Sequence, residues 1–219
     1  MKGEDSEMGE KEKNTSVVRS LLDQQGTTYA AEAGITLRNT PGPLYQLLVL
    51  AHLLSARIKA DIAVASARAL FDAGMRDPRT MADATWQQRV DALGEGGYRR
   101  YDERTATQLG EAAELVRREY QGDLRRMREA GDPRKLLREI TGIGPAGVDI
   151  FLREAQGVWP EFAPYFDRKA LEGAERVGLP KTAASLEKLV PGKDLPRLAA
   201  ALVRVALHGD AAQEVRAAA

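Results

Sequence analysis

Residues 136 to 152, reading LLREITGIGPAGVDIFL, constrain this chain more than any other stretch, because they admit only a helix, a glycine turn and a second helix. Asp132 and Pro133 supply an N-cap and a first helical residue, and Leu136, Leu137 and Ile140 give the first helix one apolar face. Gly142 and Gly144 then flank a single apolar residue, Ile143. Glycines at that spacing permit positive φ and leave backbone amides unshielded, so an anionic oxygen can approach the main chain without meeting a side chain. Pro145 restarts a helix at once, Val148, Ile150, Phe151 and Leu152 bury it, and Gly157 is expected to end it.

The rest of the chain has the same punctuation and no alternating strand pattern. Ser16 is expected to cap a short helix carrying Val17, Val18, Leu21 and Leu22 that ends near Gly26. Thr40-Pro-Gly-Pro43 reads as a breaker, and residues 44 to 57 follow as a helix apolar nearly all round, the kind that sits at the centre of a domain. Residues 61 to 73 and 80 to 93 are two further helices, 94 to 97 a glycine loop, and 102 to 120 a helix with Leu109, Ala113, Val116 and Tyr120 on one face. Helices over 168 to 177, 183 to 189 and 195 to 207 complete an all-α protein. Residues 1 to 14 are polar and charged and are expected to form a solvated, disordered tail.

The chain has 219 residues, no net charge and no cysteine. The last point excludes disulfides, thiolate zinc sites and cysteine-ligated iron-sulfur clusters. Zero net charge excludes an indiscriminately basic coat but not a local basic face. Positions 117 to 138, which lead into the glycine turn, hold eight basic residues against four acidic ones. They read either as a solvated helix surface or as phosphate-tracking residues beside the turn. The N-terminus mixes charges and lacks a signal-peptide core, and the longest apolar run, 44 to 56, contains His52 and is too short for a bilayer. A cytoplasmic location is expected, nucleoid-associated if the source is bacterial, with no membrane partner.

The Gly142-Ile143-Gly144 turn resembles the helix-hairpin-helix of the endonuclease III-like (HhH-GPD) DNA glycosylase superfamily, whose second hallmark is a Gly/Pro-containing loop ending in a catalytic aspartate. The matching loop here is 157 to 164, and the aspartate is Asp167 in Pro164-Tyr-Phe-Asp-Arg-Lys-Ala170. Leu53-Leu54-Ser55-Ala56-Arg57 looks like the family's early helix ending in Leu-Leu-Ser-Ala-Gln, Gly97-Tyr98 through Tyr101 looks like its Gly-Leu-Tyr segment, and Leu207-His208-Gly209 resembles the end of its late helix. The resemblance covers residues 43 to 209. It implies a two-lobed all-α fold, with a six-helix lobe over 43 to 156 that includes the hairpin, and a second lobe from 15 to 42 plus 157 to 219. The cleft between lobes would lie beside both hairpin and aspartate. Many relatives end in a four-cysteine cluster loop; with no cysteine, no such cluster is expected here.

What the resemblance implies chemically is excision of a damaged base. The nucleotide is first rotated out of the stack, at a cost of about a few kcal/mol, and the C1′ to N bond is then broken. Backbone amides of Gly142, Ile143, Gly144 and Ala146 would hold a phosphate, with Arg57, Lys59, Arg168 and Lys169 as further DNA contacts. A monovalent cation on the Thr141 and Ile143 carbonyls would assist; no other cofactor is required. Asp167 would stabilise the oxocarbenium-like sugar, although its place before a helix equally suits an N-cap, and both roles can hold at once. Tyr98, Tyr101, Trp159, Tyr165 and Phe166 are candidate walls of a base pocket, with core packing the alternative for each. Family members that also cut the backbone carry a Schiff-base lysine where this chain has Ala146. The expectation is therefore a monofunctional glycosylase, for instance for alkylated bases, acting on double-stranded DNA as a monomer. Two alternatives stay open: a non-catalytic DNA-binding or lesion-sensing protein of the same fold, and a helical interaction module in which the glycines merely turn the chain.

Overall fold

The structure, a computed structural model, describes residues 2–219, with side chains from Gly9 onward. The described residues form helices and no strand: α1 (Lys2–Gln25), α2 (Tyr29–Glu32), α3 (Pro41–Ser55), α4 (Ala60–Asp72), α5 (Pro78–Asp83), α6 (Trp86–Glu95), α7 (Asp102–Tyr120), α8 (Leu124–Ala130), α9 (Pro133–Glu139), α10 (Pro145–Ala155), α11 (Arg168–Arg176), α12 (Ala183–Glu187), α13 (Leu195–Leu207) and α14 (Gly209–Ala217). Single 3-10 turns lie at Pro160–Phe162 and Gly192–Asp194. No helix among the described residues is long and apolar enough to cross a membrane.

The residues divide into two compact units, Tyr29–Phe151 and Met1–Thr28 with Leu152–Ala219. In the first, α3 is the central helix that its composition predicts: Leu44, Leu47, Leu50 and Leu53 are buried, each such leucine contributing about 1.5–3 kcal/mol. It packs on α4 and α8, while α7 packs on α5, α6 and α8. The Thr40–Pro43 segment is not a loop before this helix but its opening, with Thr40 extended at the N-cap and Pro41 in the first turn, where a missing N–H costs nothing. The helix read over 80 to 93 is two helices. Asp77 accepts the Thr80 amide (2.9 Å) to start α5, and Thr85 accepts the Gln88 amide (3.1 Å) to start α6. The buried Arg89 guanidinium ties the break together, donating to the carbonyls of Met81 (2.9 Å), Ala84 (2.6 Å) and Ala106 (2.9 Å).

In the second unit, α13 is flanked by α1, α11 and α14. Its core joins Val17 and Leu21 of α1 to Ala170 and Ala174 of α11 and Leu198 and Leu202 of α13. A Cβ at Gly173 would lie 1.9 Å from the Leu202 carbonyl oxygen, so α11 and α13 touch backbone to backbone. Arg204 donates to the carbonyls of Gln25 (2.7 Å) and Thr27, holding the end of α1.

Two further expectations change. Met1 lies outside the described residues, but the rest of the segment read as a tail, 2 to 14, is the start of α1, where no proline intervenes and Glu10, Lys11, Glu12 and Lys13 are good helix formers. The unit holding the glycine turn begins at Tyr29 rather than 43 and ends at Phe151 rather than 156. Residues 29 to 42, expected in the second lobe, fall in this unit, and Tyr29, Ala30, Ala33 and Ile35 are buried.

Candidate nucleic-acid interface and active-site carboxylate

The glycine turn forms as its residues require. Asp132 caps α9 by accepting the Arg134 amide at 3.0 Å, with Pro133 as its first residue. After Ile140 the chain closes a short turn, the Ile143 amide donating to the Ile140 carbonyl (3.0 Å), and Gly142 takes the left-handed φ of +86°. Ile143 is buried as the turn's anchor, whereas Gly142, Gly144, Pro145 and Ala146 are exposed. The amides of Gly142, Gly144 and Ala146 meet no intramolecular acceptor among the described residues, and the carbonyls of Thr141 and Ile143 accept no loop amide. Gly144, unlike Gly142, has no left-handed φ, and a Cβ there would meet nothing within 4 Å. The fold itself therefore does not require glycine at 144.

Beneath the turn lies His52, 5% exposed in the largely apolar α3. Its Nε2 is 3.3 Å from Gln108 Oε1 of α7. Burial pushes the imidazole below its ordinary range, opposed by the hydrogen bond to Gln108, so the ring is neutral near pH 7. Arg57 and Lys59 follow α3 and are exposed. Among the basic residues of 117 to 138, Arg117 pairs with Glu114 (3.0 Å) and Asp83 (3.4 Å), Arg118 with Glu119 (2.7 Å) and Arg125 with Asp123 (2.7 Å). Arg126, Lys135 and Arg138 are exposed with no ion-pair partner among the described residues.

Asp167 caps α11, its Oδ1 accepting the Ala170 amide at 2.8 Å. Its Oδ2 faces the Arg153 guanidinium, accepting from Nε at 3.2 Å and from Nη2. The two side chains are 6% and 5% exposed, so this is a buried ion pair. Gln156 secures the approach to it: its amide group donates to the Arg153 carbonyl (2.7 Å) and the Tyr165 carbonyl (3.0 Å) and accepts the Tyr165 amide (2.9 Å). Both carboxylate oxygens of Asp167 are thus engaged. Arg168 and Lys169, at the start of α11, both pair with Glu172, which the Lys169 ammonium holds below the ordinary carboxylate range.

The aromatic candidates separate. Tyr98 and Trp159 are fully buried and Phe166 nearly so, which makes them core residues rather than walls of an open pocket; Trp159 packs at 6.1 Å on Phe162, and Tyr98 accepts from Thr105 at 3.5 Å. Tyr165 is half-buried on the loop that Gln156 holds. Tyr101 alone is open, 42% exposed at a left-handed φ of 69°, with the Arg100 guanidinium 4.9 Å from its ring centroid. Four polar participants, His52, Gln108, Arg153 and Gln156, escape a sequence reading. Arg153 and Gln156 carry no local signal for their partners, 14 and 9 positions away. His52 did carry one, because a polar ring in an apolar helix must find a hydrogen-bond partner.

No protein-family model and no curated protein matches the sequence. Solved structures do match. A trapped endonuclease III–DNA covalent intermediate, in an estranged-adenine complex, superposes with a TM-score of 0.51 at 16% identity over 87% of this chain and 85% of that one. A non-covalent endonuclease III–DNA complex superposes with a TM-score of 0.55 at 14% identity over 86% of this chain and 80% of that one. At that identity the likeness concerns architecture: the chain has an all-α, endonuclease III-like fold.

Proposed function

We propose that this chain is a DNA glycosylase that grips double-stranded DNA through the Gly142–Ala146 turn and hydrolyses the N-glycosidic bond of a damaged, extruded base without cutting the backbone. The observation that carries the reading is Gly144. Its conformation is open to any residue and its Cβ position is empty, so the reason for glycine there lies outside the chain, in a group that approaches the main chain closely. The amides on both sides of it, which meet no intramolecular acceptor among the described residues, suit a phosphate oxygen, and the Thr141 and Ile143 carbonyls, which accept no loop amide there, suit a monovalent cation beside it. Arg57 and Lys59 would add phosphate contacts, and Tyr101 is the one open aromatic among the base-pocket candidates. Ala146 offers no amine, so water is the nucleophile and an abasic site the product. Asp167 supplies the carboxylate for the sugar cation. Its tie to Arg153 favours lesions that leave easily, such as alkylated purines, whose own positive charge weakens the bond.

The same ion pair favours a second reading, a lesion-sensing protein that binds DNA without chemistry, because a carboxylate with both oxygens engaged has a sufficient structural reason to exist. Incubation of the monomeric protein with duplexes bearing defined lesions, followed by hot alkali, separates the two. Alkali-dependent breaks that vanish in Asp167→Asn are expected of the glycosylase; salt-sensitive binding with no base released at any lesion sinks it in favour of the sensor.

A further inference from the structure

Gly142 sits on a histidine. A Cβ at this position would lie 2.2 Å from His52 Cε1, 2.4 Å from Nε2 and 3.1 Å from Nδ1, so the turn's first glycine is in direct contact with the imidazole. That ring stands in α3 among leucines, at a place where an apolar side chain would fill the core with no polar atom to satisfy. It is instead satisfied from a third element, Gln108 of α7, at 3.3 Å. One turn along, the Ser55 hydroxyl donates to the His52 carbonyl (2.7 Å), and a Cβ at Gly147 would come 3.7 Å from Ser55 Cβ, so the end of α3 also supports the first turn of α10. The outer side of the turn is open: Gly142, Gly144 and Ala146 are exposed.

We infer that His52 and Gln108 are positioning residues for the phosphate-binding turn, the imidazole serving as its floor and the Gln108 side chain fixing how that ring is rotated. A flat ring held by one directional bond presents a defined surface to the α-carbon above it, and the directions of the Gly142, Gly144 and Ala146 amides follow from where that α-carbon rests. With the bond to Gln108 removed, the ring can rotate about its χ2 while remaining buried, and the turn loses its reference. The cost falls on anion binding rather than on folding. The inference rests on the reading of the turn as a DNA grip only for its consequence in binding; the floor itself concerns the free protein.

Two variants test it, Gln108→Leu, which removes the acceptor and keeps an apolar volume, and His52→Phe, which keeps a flat ring and removes the donor. Amide proton–nitrogen spectra of the free protein are expected to show the Gly142, Gly144 and Ala146 resonances displaced in both variants while the α13 and α14 resonances stay in place. Resonances of the turn coincident with the native ones in both variants overturn the inference. With a short fluorescein-labelled duplex, each variant is expected to bind about tenfold more weakly, and the slope of log affinity against log salt to fall by about one, as for a lost phosphate contact. A merely destabilised protein would keep that slope, and an unchanged slope with native affinity likewise counts against the floor. If the unaltered protein binds no duplex at low salt, the DNA reading fails on its own, and the amide resonances still decide the positioning role.

Discussion

Replacing Asp167 by asparagine removes the charge a glycosylase needs, and it also strands Arg153 in the interior. Asparagine caps a helix about as well as aspartate, so the bond from Oδ to the Ala170 amide (2.8 Å in the native chain) is retained. What is lost is the partner of a guanidinium only 6% exposed. Breaking a buried pair from one side costs about 3–5 kcal/mol because the remaining charge has neither water nor counter-ion. In a chain of this size that is about 2–4 °C of melting temperature per kcal/mol, hence a fall of about 6–20 °C. Arg153→Met strands the carboxylate instead, while its stem keeps most of the packing, and should cost a similar amount. The double variant strands nothing. It is expected to recover most of the loss, leaving a coupling energy of at least about 2 kcal/mol in a cycle measured by urea denaturation. Additive single effects, or an Asp167→Asn variant within about 0.5 kcal/mol of the native protein, would refute the buried pair. The cycle also protects the functional test. If Asp167 is the working carboxylate, the stable double variant is as inactive in base release as Asp167→Asn, and inactivity cannot then be attributed to unfolding.

Gly144→Ala should leave stability unchanged to within about 0.5 kcal/mol, since its Cβ enters open space, yet weaken duplex binding; Gly142→Ala should lose both, paying about 1–2 kcal/mol for the left-handed φ as well as the clash with His52. Melting curves and fluorescence anisotropy on the two variants check the contrast. Gly173→Ala drives a Cβ to within 1.9 Å of the Leu202 carbonyl oxygen and should cost upwards of about 3 kcal/mol by separating α11 from α13, read by chemical denaturation. Because burial lowers the His52 pKa in the fold, the unfolded chain takes up this proton first as pH falls; the contribution is fully present above about pH 6.5 and is lost as pH drops towards the folded value. Denaturation midpoints at pH 7.5 and 5.5 should differ by less in His52→Phe than in the native chain.

Local backbone signals made much of this fold legible. Asp132-Pro133, Gly142 and Pro145 state where one helix starts, where the chain turns and where the next begins, and each rule acts within four residues. The split between α5 and α6 was equally available, because Thr85 followed three residues later by Gln88 is a capping box, but apolar residues on both sides of the break, Met81 before it and Trp86, Val90 and Leu93 after it, mask it. The short helices α2, α8 and α14 carry too few apolar positions to show a period. The local geometry of the candidate site was legible at its turn and at the Asp167 cap, and not at Arg153 or Gln108, whose roles are pairings across 14 and 56 positions fixed only by packing.

On the proposed reading of Asp167 as the carboxylate that faces the sugar, that hidden arginine bears on the chemistry more than any motif does. A sugar cation about 4 Å from a carboxylate gains about 4 kcal/mol at the effective dielectric of protein sites, and a guanidinium about 4 Å further on takes back about 2 kcal/mol of it. At 1.4 kcal/mol per tenfold, the Arg153 charge then costs a factor of about thirty in rate for a neutral base whose departure depends on that carboxylate. A cationic leaving base needs less, because it departs by neutralising itself and its bond is already weak. Base-release rates on alkylated and on neutral lesions should therefore differ most in the native chain, and Arg153→Lys, which keeps the charge but offers a single point contact in place of the fork, should leave that ratio in place. A native protein faster on a neutral lesion than on a cationic one would show that Arg153 leaves Asp167 when DNA is bound, and that the buried pair belongs to the free state alone.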